Sequence, residues 1–236
     1  MNKISDILRD DTKFQRITRN PVEYLKRKVN KTITAINAKK GSVHFTKLQG
    51  DLGYAYSNVK IHKPGNPLCP IISQIPTPTY HLAKRLNELL TPYTPNNYSP
   101  QSSTDFLELM KTTQPEGIIA SLDVESLFTN VPVDTTIEMV LDRVYRDESN
   151  PPKLDIPEPR LKSLFKACTK EAPFISQQGD MYLQIDGVAM GFPLGVLFAN
   201  FYMGTIENRF FSSRQKPTVY YRYVDDIFII VKDSMN

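Results

Sequence analysis

Asp225 and Asp226 stand side by side between two β-forming stretches, Val219–Tyr223 and Ile227–Lys232. Acids are ordinary turn residues because their side chains bond nearby backbone amides. This turn, however, holds no Gly or Asn and is flanked by aromatic residues. Adjacent carboxylates repel, and a divalent cation between them removes that penalty. A third acid, Asp123, ends the apolar run Ile118-Ile119-Ala120-Ser121-Leu122. Taken alone, Asp123 reads equally as a helix cap or a loop acid. Beside a hairpin-tip carboxylate it makes a site that can bridge two Mg²⁺ ions about 3.5–4 Å apart, of the kind that activates a hydroxyl and neutralises a leaving oxygen in phosphoryl transfer.

Such a site needs a strand that stops at Asp123 and a hairpin that turns around Val224-Asp225-Asp226. The pattern from Gly117 onward predicts both. Ile118–Val124 reads as a buried strand, and Asp134 as the cap of a helix that buries Ile137, Val140, Leu141 and Val144. A helix carrying Leu161, Leu164, Phe165 and Cys168 follows, with Cys168 in the core. Next come a hairpin over Phe174–Ser176 and Met181–Ile185, a helix over Leu194–Phe210, and the last two strands. The resulting order, β-α-α-β-β-α-β-β, predicts an α+β fold with helices packed on a largely antiparallel sheet. Upstream, spacings of three, four and seven predict one basic helix from Asp6 to about Lys40. Pro64-Gly65-Asn66-Pro67 predicts a turn between the apolar stretches Val59–Ile61 and Ile71–Ile72, and helices are expected over Thr79–Leu90 and Asp105–Lys111.

With 236 residues the chain can bury a core. Two cysteines 99 positions apart, Cys69 and Cys168, exclude a zinc knuckle and a disulfide framework and point to a reducing compartment. The first residues, MNKISDILRD, lack the apolar stretch of a secretion signal, and Ile227–Val231 is too short to cross a bilayer. The expectation is an intracellular protein, nuclear or cytoplasmic, not secreted and with no membrane partner. Charge is divided unevenly. Residues 1–63 hold 14 Lys and Arg against 5 Asp and Glu, and the remainder hold 15 against 20. The N-terminal excess, which includes Lys26, Arg27, Lys28 and Lys31, reads either as a solvated basic helix or as an arm lying along a nucleic acid.

Four segments in chain order carry a family resemblance. Residues 117–132, GIIASLDVESLFTNVP, resemble the first palm motif of reverse transcriptases, and 184–203, QIDGVAMGFPLGVLFANFYM, resemble the second. Residues 220–230, YYRYVDDIFII, resemble the metal-binding hairpin of those enzymes. Upstream, 59–80, VKIHKPGNPLCPIISQIPTPTY, are similar to the fingers motif of the Penelope-like retroelement branch. The resemblance implies a right-hand polymerase with an N-terminal arm over 1–58, a fingers-like region over 59–115 and a palm over 116–236, with a fingers contribution around 148–186. It implies RNA-directed addition of dNTPs to a primer 3′-hydroxyl on an RNA or DNA template, with Mg²⁺ or Mn²⁺. Asp123 and Asp225 would hold the metals with the Val124 carbonyl, and Asp226 would assist. Met190 and Gly191 would line the incoming base and template. Phe128 would exclude a ribose 2′-hydroxyl or serve as a plain core residue, and Lys60 and Lys63 would face the triphosphate or be ordinary surface lysines.

Three departures accompany the resemblance. Cys69 replaces the arginine of the fingers motif, which removes a bidentate phosphate contact. Phe192 replaces a small serine, so that its ring is expected to crowd the nucleotide or the template, and Val196 replaces a proline. The chain also ends ten residues after Asp226, which leads to the expectation of a truncated copy without a thumb, inactive in the extreme case, or of a fragment of a longer gene product. The competing class is a catalytically silent nucleic-acid-binding remnant that uses the basic arm alone. RNA-dependent RNA polymerases share the palm chemistry, but the aromatic Phe128 and the fingers motif favour the DNA-making branch.

Overall fold

The computed structural model describes residues 3–39, 41–59, 61, 68–95, 97–100, 102–148, 154–214 and 216–232, without the side chains of 3, 4 and 68–70. In chain order the elements are α1 (Lys3–Ile7), β1 (Phe14–Ile17), α2 (Val22–Asn37), β2 (Gly53–Val59), β3 (Leu68–Ser73) and α3 (Tyr80–Leu90). Then follow α4 (Ser103–Thr113), β4 (Ile118–Asp123), α5 (Leu127–Asn130), α6 (Val133–Tyr145) and α7 (Glu158–Thr169). The last are β5 (Pro173–Ile175), β6 (Met181–Gln184), α8 (Pro193–Ser212), β7 (Val219–Tyr223) and β8 (Asp226–Val231). They form two compact units, one of Met1–Tyr93 with Phe128–Phe198, the other of Thr94–Leu127 with Ala199–Asn236.

The first unit holds a five-stranded sheet in the order β1-β6-β5-β2-β3, antiparallel except for the β2–β5 pair. Its helices bury apolar stripes at three- and four-residue spacing: Val22, Leu25, Val29, Ile33 and Ile36 on α2, and Ile137, Val140, Leu141 and Val144 on α6. Helix α7 packs against α2, α3 and α6, which is why Leu161, Leu164, Phe165 and Cys168 are sealed from solvent. Ion pairs fasten these helices at their margins, Lys28 to Glu171 at 2.6 Å and Lys170 to Asp134 at 2.6 Å.

The second unit holds a three-stranded antiparallel sheet in the order β4-β8-β7. On one face Phe106 of α4 meets the edges of Tyr221 and Phe228. On the other, Tyr98, Phe211 and Tyr220 pack ring against ring. Ser102 starts α4 as a side-chain cap, its hydroxyl accepting the Asp105 amide at 3.0 Å.

Four expectations are corrected. The single basic helix over 6–40 is three elements, because the turn at Asp10–Lys13 and the Asn20-Pro21 step stop helix propagation and Phe14–Ile17 pair with β6 instead. The strands form two sheets, since β5 and β6 join β1, β2 and β3 and not β4. Asp134 does not cap α6; Pro132 occupies the cap position and Asp134 is turned to Lys170. Strand β4 is not buried. Ile118, Ile119 and Leu122 are exposed, Ile119 at 65 %, because β4 lies at the edge of the three-stranded sheet and α4 of the same unit packs on Tyr221 and Phe228 instead. No helix among the described residues is long and apolar enough to cross a membrane.

Burial pushes the Cys168 thiol well above its ordinary pKa, and Glu171 adds to the shift. A thiolate is the reactive form, so Cys168 is inert in the folded chain. With a thiol-directed reagent at neutral pH, peptide-level mass spectrometry is expected to show Cys168 modified only in denaturant. Native labelling at a rate like that of an unfolded cysteine would contradict the packing of α7.

Candidate active site

Asp123 is the last residue of β4 and pairs across the sheet with Asp226, the first of β8, so the two acids stand on one face of one sheet end. Tyr223 pairs with Asp226, which leaves Val224 and Asp225 as a two-residue hairpin turn. Val224 has a φ of +57°, and Asp225 is not among the residues with positive φ. Left-handed geometry at the first central position alone is that of a type II′ turn, where glycine is the usual occupant. A β-branched residue there is strained by about 1–3 kcal/mol.

Two hydrogen bonds hold the turn in that conformation. The Val124 amide donates to the Asp225 carbonyl at 2.9 Å, which ties the tip to the end of β4. From beneath, Arg222 Nη1 donates to the Val224 carbonyl at 3.0 Å. Arg222 is fully buried and Glu207 of α8 nearly so. Nε donates to Glu207 Oε1 at 2.5 Å and Nη2 to Oε2 at 3.1 Å, a two-pronged pair, while Nη1 also donates to Asn200 Oδ1 at 2.9 Å. The Tyr220 hydroxyl donates to Glu207 Oε1 at 2.8 Å. Burial, followed by the charge of Glu207, raises the pKa of that phenol far above its ordinary value. Sequence reasoning missed Arg222, Glu207 and Asn200. The available signal was an arginine inside an aromatic strand, which needs an anion once the strand is buried.

Asp123 and Asp226 are exposed and Asp225 is half-buried. None of the three carboxylates has a hydrogen-bond or ion-pair partner among the described residues. Nor do any three His, Cys, Asp or Glu among the described residues form a metal cluster of their own. The donors on offer are therefore carboxylate and carbonyl oxygens at an open sheet end, which suits Mg²⁺ or Mn²⁺, ions that keep several waters and take the rest of their ligands from substrate phosphates.

Phe128, Met190 and Gly191 belong to the first unit, where the 186–195 segment wraps α5. The Val188 amide donates to the Phe128 carbonyl at 2.8 Å. Gly187 has φ +71°, and a Cβ there would lie 2.7 Å from the Thr129 carbonyl, so only glycine fits. Gly191 has φ +82° with open space around it, so its backbone conformation rather than crowding calls for glycine. The half-buried Phe128 ring borders Gly195, where an added Cβ would meet ring carbons at 3.7 Å. Asp186, also missed in the sequence, anchors the segment's start. Its Oδ2 accepts Lys13 Nζ at 2.9 Å and its Oδ1 accepts the Val133 amide at 3.2 Å. Burial pushes its pKa upward, but the Lys13, Val133 and Gly187 hydrogen bonds outweigh that and hold the carboxyl below the usual range. The ring of Phe192 is turned into the unit's interior beside Gln74, Cys168 and Gln184, while Val196 is exposed.

Of the arm's cations, Lys26 pairs with Glu23 and Lys28 with Glu171, whereas Arg27 and Lys31 are exposed with no partner among the described residues. Lys60 and Lys63 lie outside the described residues, as does the side chain of Cys69.

The family model described as reverse transcriptase (RNA-dependent DNA polymerase) matches residues 61–236. No curated protein sequence matches the chain. Among solved structures, telomerase from Candida tropicalis in complex with the TWJ fragment of telomeric RNA is similar at a TM-score of 0.58 and 14 % identity, over 89 % of this chain and 40 % of that one. Apo telomerase from the same organism, truncated from its C-terminal domain, has a TM-score of 0.56 and 14 % identity over 88 % and 48 %. Telomerase from Candida albicans with the TWJ fragment has a TM-score of 0.52 and 13 % identity over 98 % and 47 %. The chain thus spans less than half the length of each, and at such identities the likeness is one of fold. The motif order, the two acid-bearing strand ends and the family match over three quarters of the sequence lead to one conclusion: the chain belongs to the reverse transcriptase family.

Proposed function

We propose that the chain is the catalytic core of a Penelope-like reverse transcriptase, adding dNTPs to a primer 3′-hydroxyl on an RNA template by two-metal phosphoryl transfer. The observation that carries this reading is the fixed approach of Asp225 to the end of β4, by way of the Val124 amide, at a sheet end whose carboxylates meet no protein cation among the described residues. The three-stranded sheet is the palm-like part. The fingers-like assignment around 148–186 is supported by β5 and β6, which pair with β1 and β2 in the other sheet.

Asp123, Asp225 and the Val124 carbonyl would hold Mg²⁺ or Mn²⁺, with Asp226 assisting, and the bound ions supply acidification of the primer hydroxyl and neutralisation of the leaving pyrophosphate. The chain's own part is placement. The turn holds Asp225 against β4, Gly191 leaves open backbone for a base or template, and Phe128 stands on α5, around which the segment carrying Met190 is wrapped. Of Lys26, Arg27, Lys28 and Lys31, it is Arg27 and Lys31 that are left to meet template phosphates.

Primer extension on an RNA template with Mg²⁺ tests the reaction. Asp225→Asn is expected to lower kcat by roughly 10²–10³-fold, the scale of losing one preorganised electrostatic contact in a transition state. Extension that survives the substitution removes the metal role of Asp225. Phe128→Ala is expected to raise rNTP incorporation relative to dNTP, and unchanged sugar discrimination assigns Phe128 to the core. Template affinity measured at several salt concentrations checks the arm. Neutralising Arg27 and Lys31 together should reduce the log–log salt slope by about 2. A smaller effect than that of neutralising the paired Lys26 and Lys28 would place the nucleic acid elsewhere. Salt-dependent binding with no extension by the wild type favours the silent remnant.

A further inference from the structure

A guanidinium that only needed its charge neutralised would be satisfied by the two-pronged bond to Glu207, which uses Nε and Nη2. In this chain Nη1 does separate work, bridging Asn200 Oδ1 on α8 and the Val224 carbonyl in the turn. Asn200 and Glu207 are seven residues apart, two helical turns, and so lie on one face of α8. The planar fork is therefore fixed at two points on a helix and reaches the strained turn with the remaining hydrogen of Nη1. Successive carbonyls of the turn are then bonded from different sides, Val224 by Arg222 and Asp225 by the Val124 amide. A left-handed β-branched residue has no local reason to stay as it is, and these two bonds are what opposes its relaxation.

We propose that Arg222 is a positioning residue: through the Val224 carbonyl it holds the Asp225 carboxylate beside Asp123, and Glu207 and Asn200 orient its guanidinium for that bond. The proposal rests on the reading of Asp225 as a metal-binding carboxylate. Lysine cannot replace it, since an ammonium offers no planar fork to be fixed on one side and donate on the other.

Removing Arg222 or Glu207 alone strands a buried charge and endangers the fold. The deciding variant is therefore the double substitution Arg222→Met with Glu207→Gln, which leaves no buried charge and keeps an acceptor for the Tyr220 hydroxyl. It is expected to melt cooperatively, with the Val124 amide exchanging about tenfold faster, the scale of one lost hydrogen bond. Amides at the Val219–Ile230 end of the same hairpin should keep their rates. In primer extension kcat should fall about a hundredfold, as expected for a misplaced catalytic group, with dNTP KM unchanged and a higher Mg²⁺ requirement. Adding Val224→Gly, which accepts the left-handed conformation without strain, should recover part of the rate. Asn200→Leu, with the ion pair intact, should move exchange and kcat in the same directions by less. Unchanged exchange at Val124, an increase spread evenly along the hairpin, or a wild-type kcat in either variant overturns the proposal. Should the wild-type chain extend no primer, the reading of the reaction fails, while the exchange comparison still decides the positioning.

Discussion

Burying an arginine demands an anion at bonding distance, and among the described residues Arg222 and Glu207 are the charged side chains that the structure seals from water. Meeting that demand dictates much of the three-stranded unit. Helix α8 has to run under β7 with residues 200 and 207 facing the sheet, and Tyr220, the neighbour two positions before Arg222, must share the same carboxylate. The backbone takes part too, for the Arg222 amide donates to the Tyr98 carbonyl at 2.8 Å and so binds the segment before α4 to β7. A buried pair of this kind contributes little net stability relative to an apolar replacement, yet losing one partner costs about 3–5 kcal/mol. Its value lies in geometry: it admits one arrangement of helix, strand and turn, and that arrangement sets the hairpin against β4.

The charge imbalance of the sequence has a related explanation. Part of the N-terminal excess is balanced within the chain, because Lys13, Arg16 and Lys28 are paired with Asp186, Asp180 and Glu171 from the second half of the chain. These contacts also show that residues 13–28 are woven into the five-stranded unit. Lys13 serves twice, its carbonyl accepting the Ile185 amide and its ammonium reaching Asp186, so that the start of β1 fixes the entrance to the 186–195 segment.

Much of the local structure was legible because it depends on neighbours in sequence. The hairpin at Asp225, the strand to Asp123, the amphipathic stripes of α2, α6 and α7 and the core position of Cys168 all follow from short-range pattern. What escaped depends on partners far along the chain. Strand β1 is four residues long and is a strand only because β6 lies beside it. The division into two sheets hides behind identical β-forming composition. The aliphatic run of β4 predicts burial on both faces, whereas its place at a sheet edge leaves it exposed. Arg222, Glu207 and Asp186 look like surface charges until the residue 15 or 173 positions away is found.

The carboxylates themselves divide by what the fold has done with their charge. Glu207 and Asp186 are each met by a cation and by further hydrogen bonds, and they fix backbone. Asp123, Asp225 and Asp226 are brought to one sheet end and given no cation among the described residues, although this chain has 29 Lys and Arg to draw on. Like charges held at close range raise the energy of the folded state, and pairing any one of them with lysine would relieve it. On the proposed reading, a fold that fastens Glu207 and Asp186 and strains a valine to keep this turn has reserved the charge of these three for something that arrives from solution. A hard divalent ion with its waters and substrate phosphates meets that description, and a protein cation in the same place would compete with it.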